Sequence, residues 1–186
     1  AYEMLLRYTP LPASVCGTIC PNLCIQNCSR EKIDYSIDAS VLGRAVQAVE
    51  PPQSKAPIGK KVAIIGGGPA GMAAAWQLAL NGVEAHIFER DTRLGGKLAQ
   101  TIPWERLSQA VWDVEIERFL KTKNLHVNLG VSLSKDKVEE LKKEVETIVG
   151  VKLECGATAV PPGTVGRNAQ ACSHVIAGAG IEPIGQ

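Results

Sequence analysis

Lys61 to Gly71, Lys-Val-Ala-Ile-Ile-Gly-Gly-Gly-Pro-Ala-Gly, restricts the fold more than any other stretch of this chain. Val62 to Ile65 is a short apolar run rich in β-branched residues, the composition of a buried parallel strand. Ala70 to Leu80 is rich in alanine and predicts a helix. Gly66, Gly68 and Gly71 between them fit G-x-G-x-x-G. In that pattern the first glycine permits a tight turn, the second lets backbone approach a pyrophosphate, and the third lets helix pack on strand. The helix start then offers free N–H groups and a positive dipole end to an anion. Gly82, a second strand from Val83 to Phe88, and Glu89 follow. An acid about 20 residues beyond the glycines is placed to accept from adenosine ribose hydroxyls. The expectation is an α/β, Rossmann-like domain with a parallel sheet that holds a dinucleotide.

The residues after Glu89 refine the ligand. Arg90-Asp-Thr-Arg-Leu-Gly-Gly-Lys-Leu places a second glycine pair, Gly95 and Gly96, shortly after the ribose acid, where backbone can lie against a longer, flavin-bearing dinucleotide. Ile102 to Leu107 leads into a helix for which Ser108 is a candidate cap, with Val111, Val114 or Glu115, Phe119 and Leu120 on its mixed apolar face. Leu125 to Leu129 predicts a strand and Gly130 to Ser134 a link. A further helix is expected, with Asp136 and Glu139 as a capping pair, Val138, Leu141, Val145 and Ile148 as one stripe, and a Glu139–Lys143 ion pair. A short strand and loop over residues 151–166 and a strand from Val175 to Ala177 complete the expected elements. Trp76, Trp104 and Trp112 are read as core packing ahead of flavin stacking. No partner is expected for His86, His126 or His174, and Cys155 and Cys172 are read as free buried thiols.

Six cysteines are present, four of them in Cys16-Gly-Thr-Ile-Cys20-Pro-Asn-Leu-Cys24-Ile-Gln-Asn-Cys28. No secretory signal is visible, so metal or cluster ligation is preferred over disulfides. An iron–sulfur cluster fits this run, with Pro21 beside a ligand, better than zinc, whose ligand pairs are usually separated by a longer loop. Zinc and free thiols stay open as alternatives. Ala39 to Val49 predicts a packing helix, and residues 51–60, with Pro51, Pro52, Pro57 and Gly59, have linker composition. The expected organisation is a helical cysteine-rich segment over 1–50, a linker over 51–60, and the Rossmann-like domain over 61–186. The 20 basic and 19 acidic side chains nearly balance, which excludes a strongly charged nucleic-acid or membrane-surface binder. No apolar run reaches the roughly 18 residues of a membrane span, and a cytoplasmic location is expected. Both ends read as cut, as in a piece of a longer polypeptide.

With these residues laid out, the chain resembles the flavin and iron–sulfur oxidoreductases typified by the small (β) subunit of glutamate synthase and the N-terminal half of dihydropyrimidine dehydrogenase. The resemblance rests on Cys16 to Pro21, on Cys24 and Cys28 with Arg30, and on Val62 to Gly71. Phe88-Glu89, Leu94-Gly-Gly-Lys-Leu98 and Ile102-Pro-x-x-Arg-Leu107 complete it. It implies that Cys20 and Cys24 ligate one [4Fe–4S] cluster and Cys28 another, while Cys16 need not be a ligand. It implies FAD contacts from Gly66, Gly67, Gly68, Pro69, Ala70, Gly71, Glu89, Arg90, Leu94, Gly95, Gly96, Lys97, Leu98, Arg106 and Leu133. It implies hydride from NAD(P)H to FAD, then electrons through the clusters to a larger catalytic subunit or domain. Gly43 stands where such proteins tend to carry Gln or Glu, and the NADPH module expected beyond Gly180 is missing from the sequence. The contrasting readings are a non-catalytic or degenerate docking module that keeps the fold, and a plain NAD-binding domain, since Glu89 serves either ribose.

Overall fold

The computed structural model describes residues 2–46, 49–145, 147–152 and 174–175. A sheet of strand order β3-β2-β1-β4-β5 forms the centre. β1 (Lys61–Ile65), β2 (Glu84–Glu89), β3 (Leu125–Leu129) and β4 (Thr147–Lys152) run parallel, and β5 (His174–Val175) pairs antiparallel with β4. The order 3-2-1-4 is that of the doubly wound dinucleotide-binding half, in which the chain reverses direction across the sheet between β1 and β4. The reversal opens a crevice at the carboxyl ends of the strands, where β1 delivers the glycine turn.

α4 (Pro69–Leu80) crosses from β1 to β2 and α6 (Gln109–Leu120) from β2 to β3. Ala75, Trp76 and Ala79 of α4 are fully buried, and Trp76 stacks on Phe119 of α6 with ring centroids 6.1 Å apart. The Trp76 indole N–H donates to the Leu6 carbonyl at 2.7 Å, so this tryptophan joins the two crossover helices and α1 (Tyr2–Tyr8) in one core. Leu6, Leu11 and Val46 from the first 50 residues belong to the same apolar cluster as Ile64, Met72 and Ile87. Between them the proline-rich stretch is pinned: Lys55 N–H donates to Leu80 C=O and Ile58 N–H to Gly82 C=O, both at 2.9 Å.

Several local expectations differ from what forms. The helix expected to reach Ile148 is α7 (Lys135–Glu144); Val145 is already extended, and Ile148 lies in β4 beside Ala63. The run Thr147-Ile-Val-Gly-Val is β-branched, and pairing with β1 outweighs the helical stripe that Ile148 would complete. Ser134, not Asp136, caps α7 by accepting from Lys137 N–H, and Glu139 pairs with Lys142 at 2.6 Å rather than with Lys143. Ser108 occupies the N-cap position of α6 without a side-chain cap. α3 spans Ala39–Ala45, short of Val49, with Asp38 as its cap. The strand expected at Val175–Ala177 is described at His174–Val175. Cys155 and Cys172 lie outside the described residues.

Candidate functional site: a glycine cradle joined to a cysteine segment

The turn after β1 is closed by two independent contacts. A side chain at Gly71 would collide with the Gly66 carbonyl oxygen, so the third glycine of the motif sets how tightly α4 approaches the turn. Gly66 N–H donates to Phe88 C=O at 2.9 Å and ties the turn to β2. The first intrahelical bond of α4 runs from Met72 N–H to Gly68 C=O at 2.9 Å, leaving the N–H groups of Ala70 and Gly71 ahead of it. Pro69 takes the first helical position, where a missing N–H costs nothing. Around Gly68 no heavy atom comes within 4 Å of where a Cβ would stand.

Glu89 is 6% exposed and its carboxylate lies against this turn. Oε2 accepts from Gly67 N–H at 2.5 Å and Oε1 from Asp91 N–H at 3.0 Å. Each oxygen keeps a second lone pair, so the carboxylate can still accept from two hydroxyls of a ribose.

The second glycine pair closes onto the first. Gly95 N–H donates to Gly67 C=O at 2.8 Å, and a Cβ on Gly96 would stand 3.1 Å from Gly68 Cα. Gly95 has φ +109° and backs onto Trp112, whose ring a Cβ there would meet at 2.6 Å. Trp112 therefore supports this turn from behind. Leu94 is buried, with Cδ2 2.6 Å from the position of a Gly67 Cβ. Lys97 opens α5 (Lys97–Thr101) and is exposed, whereas Leu98 packs on the core. Arg90 is exposed, 3.7 Å from the Asp91 carboxylate. After β3, Gly130 N–H donates to Asp91 C=O at 3.0 Å and Val131 N–H to Glu89 C=O at 2.8 Å, which carries the link with half-buried Leu133 past the Glu89 end. Arg106 points elsewhere: its guanidinium donates to the Ile19 carbonyl at 3.4 Å, on the cysteine segment.

That segment opens with a π-helical stretch, Pro12–Ile19, followed by α2 (Leu23–Gln26) and a 3-10 turn, Ser29–Lys32. Cys20 and Cys24 are exposed and Cys28 half-buried. Backbone N–H groups of Ile37, Arg30 and Glu31, with the charge of Arg30, hold the Cys28 thiol below its ordinary pKa, which favours the thiolate that a metal takes. Cys16 is different. Its S–H donates to Ala39 C=O at 3.5 Å, and burial first, then Cys20, Cys24 and Asp38, push its thiol up. The two half-buried thiols thus differ in kind, Cys16 shifted toward the thiol and Cys28 toward the thiolate.

Gly43 has a steric explanation. Its Cβ would lie 2.6 Å from the Pro12 carbonyl oxygen and 2.9 Å from Gly17 N, because α3 packs directly on the π-helical stretch. A Gly43→Ala variant is expected to lose about 1–3 kcal/mol of stability from this overpacking. Urea denaturation followed by circular dichroism checks it, and an unchanged midpoint would mean that the two elements do not pack this closely.

Sequence reading passed over the groups that fasten this segment to the cradle. Glu115 is fully buried on α6, and its carboxylate accepts from Ala13 N–H and Ser14 N–H, each at 2.8 Å. Arg118, 5% exposed, donates to Glu115 at 3.0 Å, to Pro10 C=O at 3.1 Å and to Val46 C=O at 2.8 Å. Burial pulls the Arg118 guanidinium below its ordinary pKa, while the charge of Glu115 opposes that shift. The signal available in the sequence was the pair of opposite charges, Glu115 and Arg118, three residues apart beside Trp112 and Phe119.

Residues 64–128 match the model of the NAD(P)-binding Rossmann-like domain. The β subunit of NADPH-Fe(3+) oxidoreductase from Geobacter sulfurreducens is 35% identical over 149 residues, 75% of this chain and 22% of that protein. The PreT subunit of NAD-dependent dihydropyrimidine dehydrogenase from Escherichia coli (strain K12) is 35% identical over 156 residues, 77% of this chain and 37% of that protein. The small chain of glutamate synthase [NADPH] from Azospirillum brasilense is 31% identical over 160 residues, 80% of this chain and 33% of that protein. The chain is a homologue of these oxidoreductase subunits. It spans between about a fifth and two-fifths of their lengths. Residues 64–128, which that domain model matches, contain the β1 turn, α4 and Glu89. No helix among the described residues is long and apolar enough to cross a membrane.

Proposed function

We propose that this chain is the FAD-binding portion of an NAD(P)H-dependent flavin and iron–sulfur oxidoreductase that works in the cytoplasm with a larger catalytic subunit or domain. The observation that carries the reading is the closure of Gly95-Gly96 onto Gly67-Gly68. The two backbone turns lie against each other and leave open space over Gly68, where a long dinucleotide can approach. Gly68 and the first N–H groups of α4 receive the pyrophosphate charge. Glu89 accepts from the adenosine ribose hydroxyls, Leu94 covers the turn, and the Leu133 link passes the ribose end. Bound FAD supplies the exchange between a two-electron hydride and single electrons.

Cys20, Cys24 and Cys28 supply thiolates for [4Fe–4S] clusters. Each cluster takes about four protein ligands, so these three residues alone complete neither of two clusters. Arg106, bonded to Ile19, and the Glu115–Arg118 pair hold the cysteine segment against the flavin domain. They keep donor and acceptor at a fixed separation. The names of the homologous NADPH- and NAD-dependent oxidoreductase subunits support this reading.

Denaturing release from natively purified protein, followed by mass identification of the nucleotide and quantitation of iron and zinc, tests it. FAD with iron is expected. Release of NAD or NADP without flavin would replace the reading with a plain nicotinamide-binding domain. Absence of any nucleotide, even after incubation with FAD, would leave a docking module.

A further inference from the structure

His86 and His126, on neighbouring strands of the sheet, share a partner. β2 and β3 pair with His86 opposite His126, and the two imidazoles stack with centroids 4.5 Å apart and planes 16° from parallel. Glu84 lies two residues before His86, on the same face of β2. Its Oε1 is 2.9 Å from His86 Nε2 and 3.5 Å from His126 Nε2. Among the described residues these three form the one group in which carboxylate, imidazole or thiol donors all come within 4.8 Å of one another.

The spacing has chemical content. An ion about 2.1 Å from the Glu84 oxygen and from either imidazole nitrogen fits these separations, and a turn of the exposed His126 ring, now stacked on His86, brings the second in-plane lone pair onto it. Two imidazoles and one carboxylate suit a divalent first-row transition ion better than calcium or magnesium, which prefer oxygen. The His126 side chain is 52% exposed, so the remaining coordination positions are open to water. Lys61 Nζ lies 3.5 Å from Glu84 Oε2, the other carboxylate oxygen; it offsets charge without occupying the donor atom.

We infer that Glu84, His86 and His126 form a surface site for a divalent transition-metal ion such as zinc. The site lies at the start of β2, on the face opposite Ala85 and Ile87. Glu84 and Glu89 are five residues apart along the strand, about 16 Å, so it is separate from the glycine cradle and its occupancy does not depend on FAD.

The test is calorimetric titration of the 186-residue chain with Zn²⁺ alone near neutral pH, after the thiols have been capped with iodoacetamide. Co²⁺ provides a spectroscopic companion, because thiolate ligation gives a charge-transfer band that imidazole and carboxylate do not. One bound equivalent without that band is expected. His126→Ala should weaken binding by about tenfold or more, since changes even beyond the ligands cost about 10–100-fold. Glu84→Gln should do likewise, while Lys61→Met should strengthen binding. His126 is half-exposed, so its replacement leaves the circular dichroism spectrum unchanged. If capping disturbs the fold, Zn²⁺ is added to the uncapped chain, and selective shifts of the His86 and His126 imidazole resonances then report binding at this site. Binding that His126→Ala leaves unaltered, or imidazole resonances that do not respond to Zn²⁺, would overturn the assignment.

Discussion

Glu115→Ala is expected to cost about 3–5 kcal/mol of folding stability, among the largest effects available to any single replacement in this chain. The carboxylate is fully buried and accepts two backbone N–H groups at the start of the π-helical stretch. Removing it leaves Ala13 N–H and Ser14 N–H without that acceptor and takes from the buried Arg118 guanidinium the carboxylate 3.0 Å away. Both losses act in the same direction. Glu115→Gln should also destabilise, because its NH₂ would face a donor where one carboxylate oxygen now accepts. Pairing Glu115→Leu with Arg118→Met should cost less than the sum of the single changes, with a coupling of about 1–3 kcal/mol. Urea midpoints give the free energies, and hydrogen exchange supplies a local signature: the Ala13 and Ser14 amides should lose protection before those of β1 and β2. A Glu115→Ala variant within about 1 kcal/mol of the parent chain would show that this carboxylate does not fasten the segment.

The contrast between what the sequence displays and what it hides follows the range of the interactions. β1, α4 and β2 are legible because strand composition, glycine spacing and helix propensity all act within about 30 residues. Glu89 is legible for the same reason, since its place after β2 follows from the length of one crossover unit. β4 is not, because a helical stripe through Ile148 competes with the β-branched run from Thr147, and pairing with a strand more than 80 residues earlier decides between them. The Glu115 contacts to Ala13 and Ser14 span 102 and 101 residues. They depend on how α6 meets the π-helical stretch, and no local pattern records that. His86 and His126 become neighbours through the register of two parallel strands, which spacing along the chain does not contain. The π-helical stretch Pro12–Ile19 packs against α3, where Gly17 and Gly43 lie too close for side chains, and that contact too joins residues no local pattern links.

Gly68 and Gly71 are expected to separate ligand binding from folding. For Gly71→Ala two effects oppose each other. Alanine gains up to about 1 kcal/mol in helix propensity, but its Cβ collides with the Gly66 carbonyl oxygen, a backbone atom held by the turn that cannot swing aside like a side chain. Overpacking of this kind costs about 1–3 kcal/mol, so destabilisation wins, and the displaced turn should also lose its nucleotide. At Gly68 the backbone is extended, with φ −73° and ψ 177°, and no heavy atom lies within 4 Å of an added Cβ. Gly68→Ala should therefore stay within about 1 kcal/mol of the parent chain. Its methyl group would nevertheless stand in the open space over the start of α4, where a pyrophosphate approaches. The expected result is a loss of FAD affinity of about tenfold or more, equivalent to at least about 1.4 kcal/mol, with an unchanged urea midpoint. Flavin-to-protein ratios after gel filtration, fluorescence titration with FAD and denaturation curves on the same preparations separate the two variants. Unaltered FAD affinity in Gly68→Ala would place the nucleotide away from this turn, and an unaltered midpoint in Gly71→Ala would refute the close approach of α4 to Gly66.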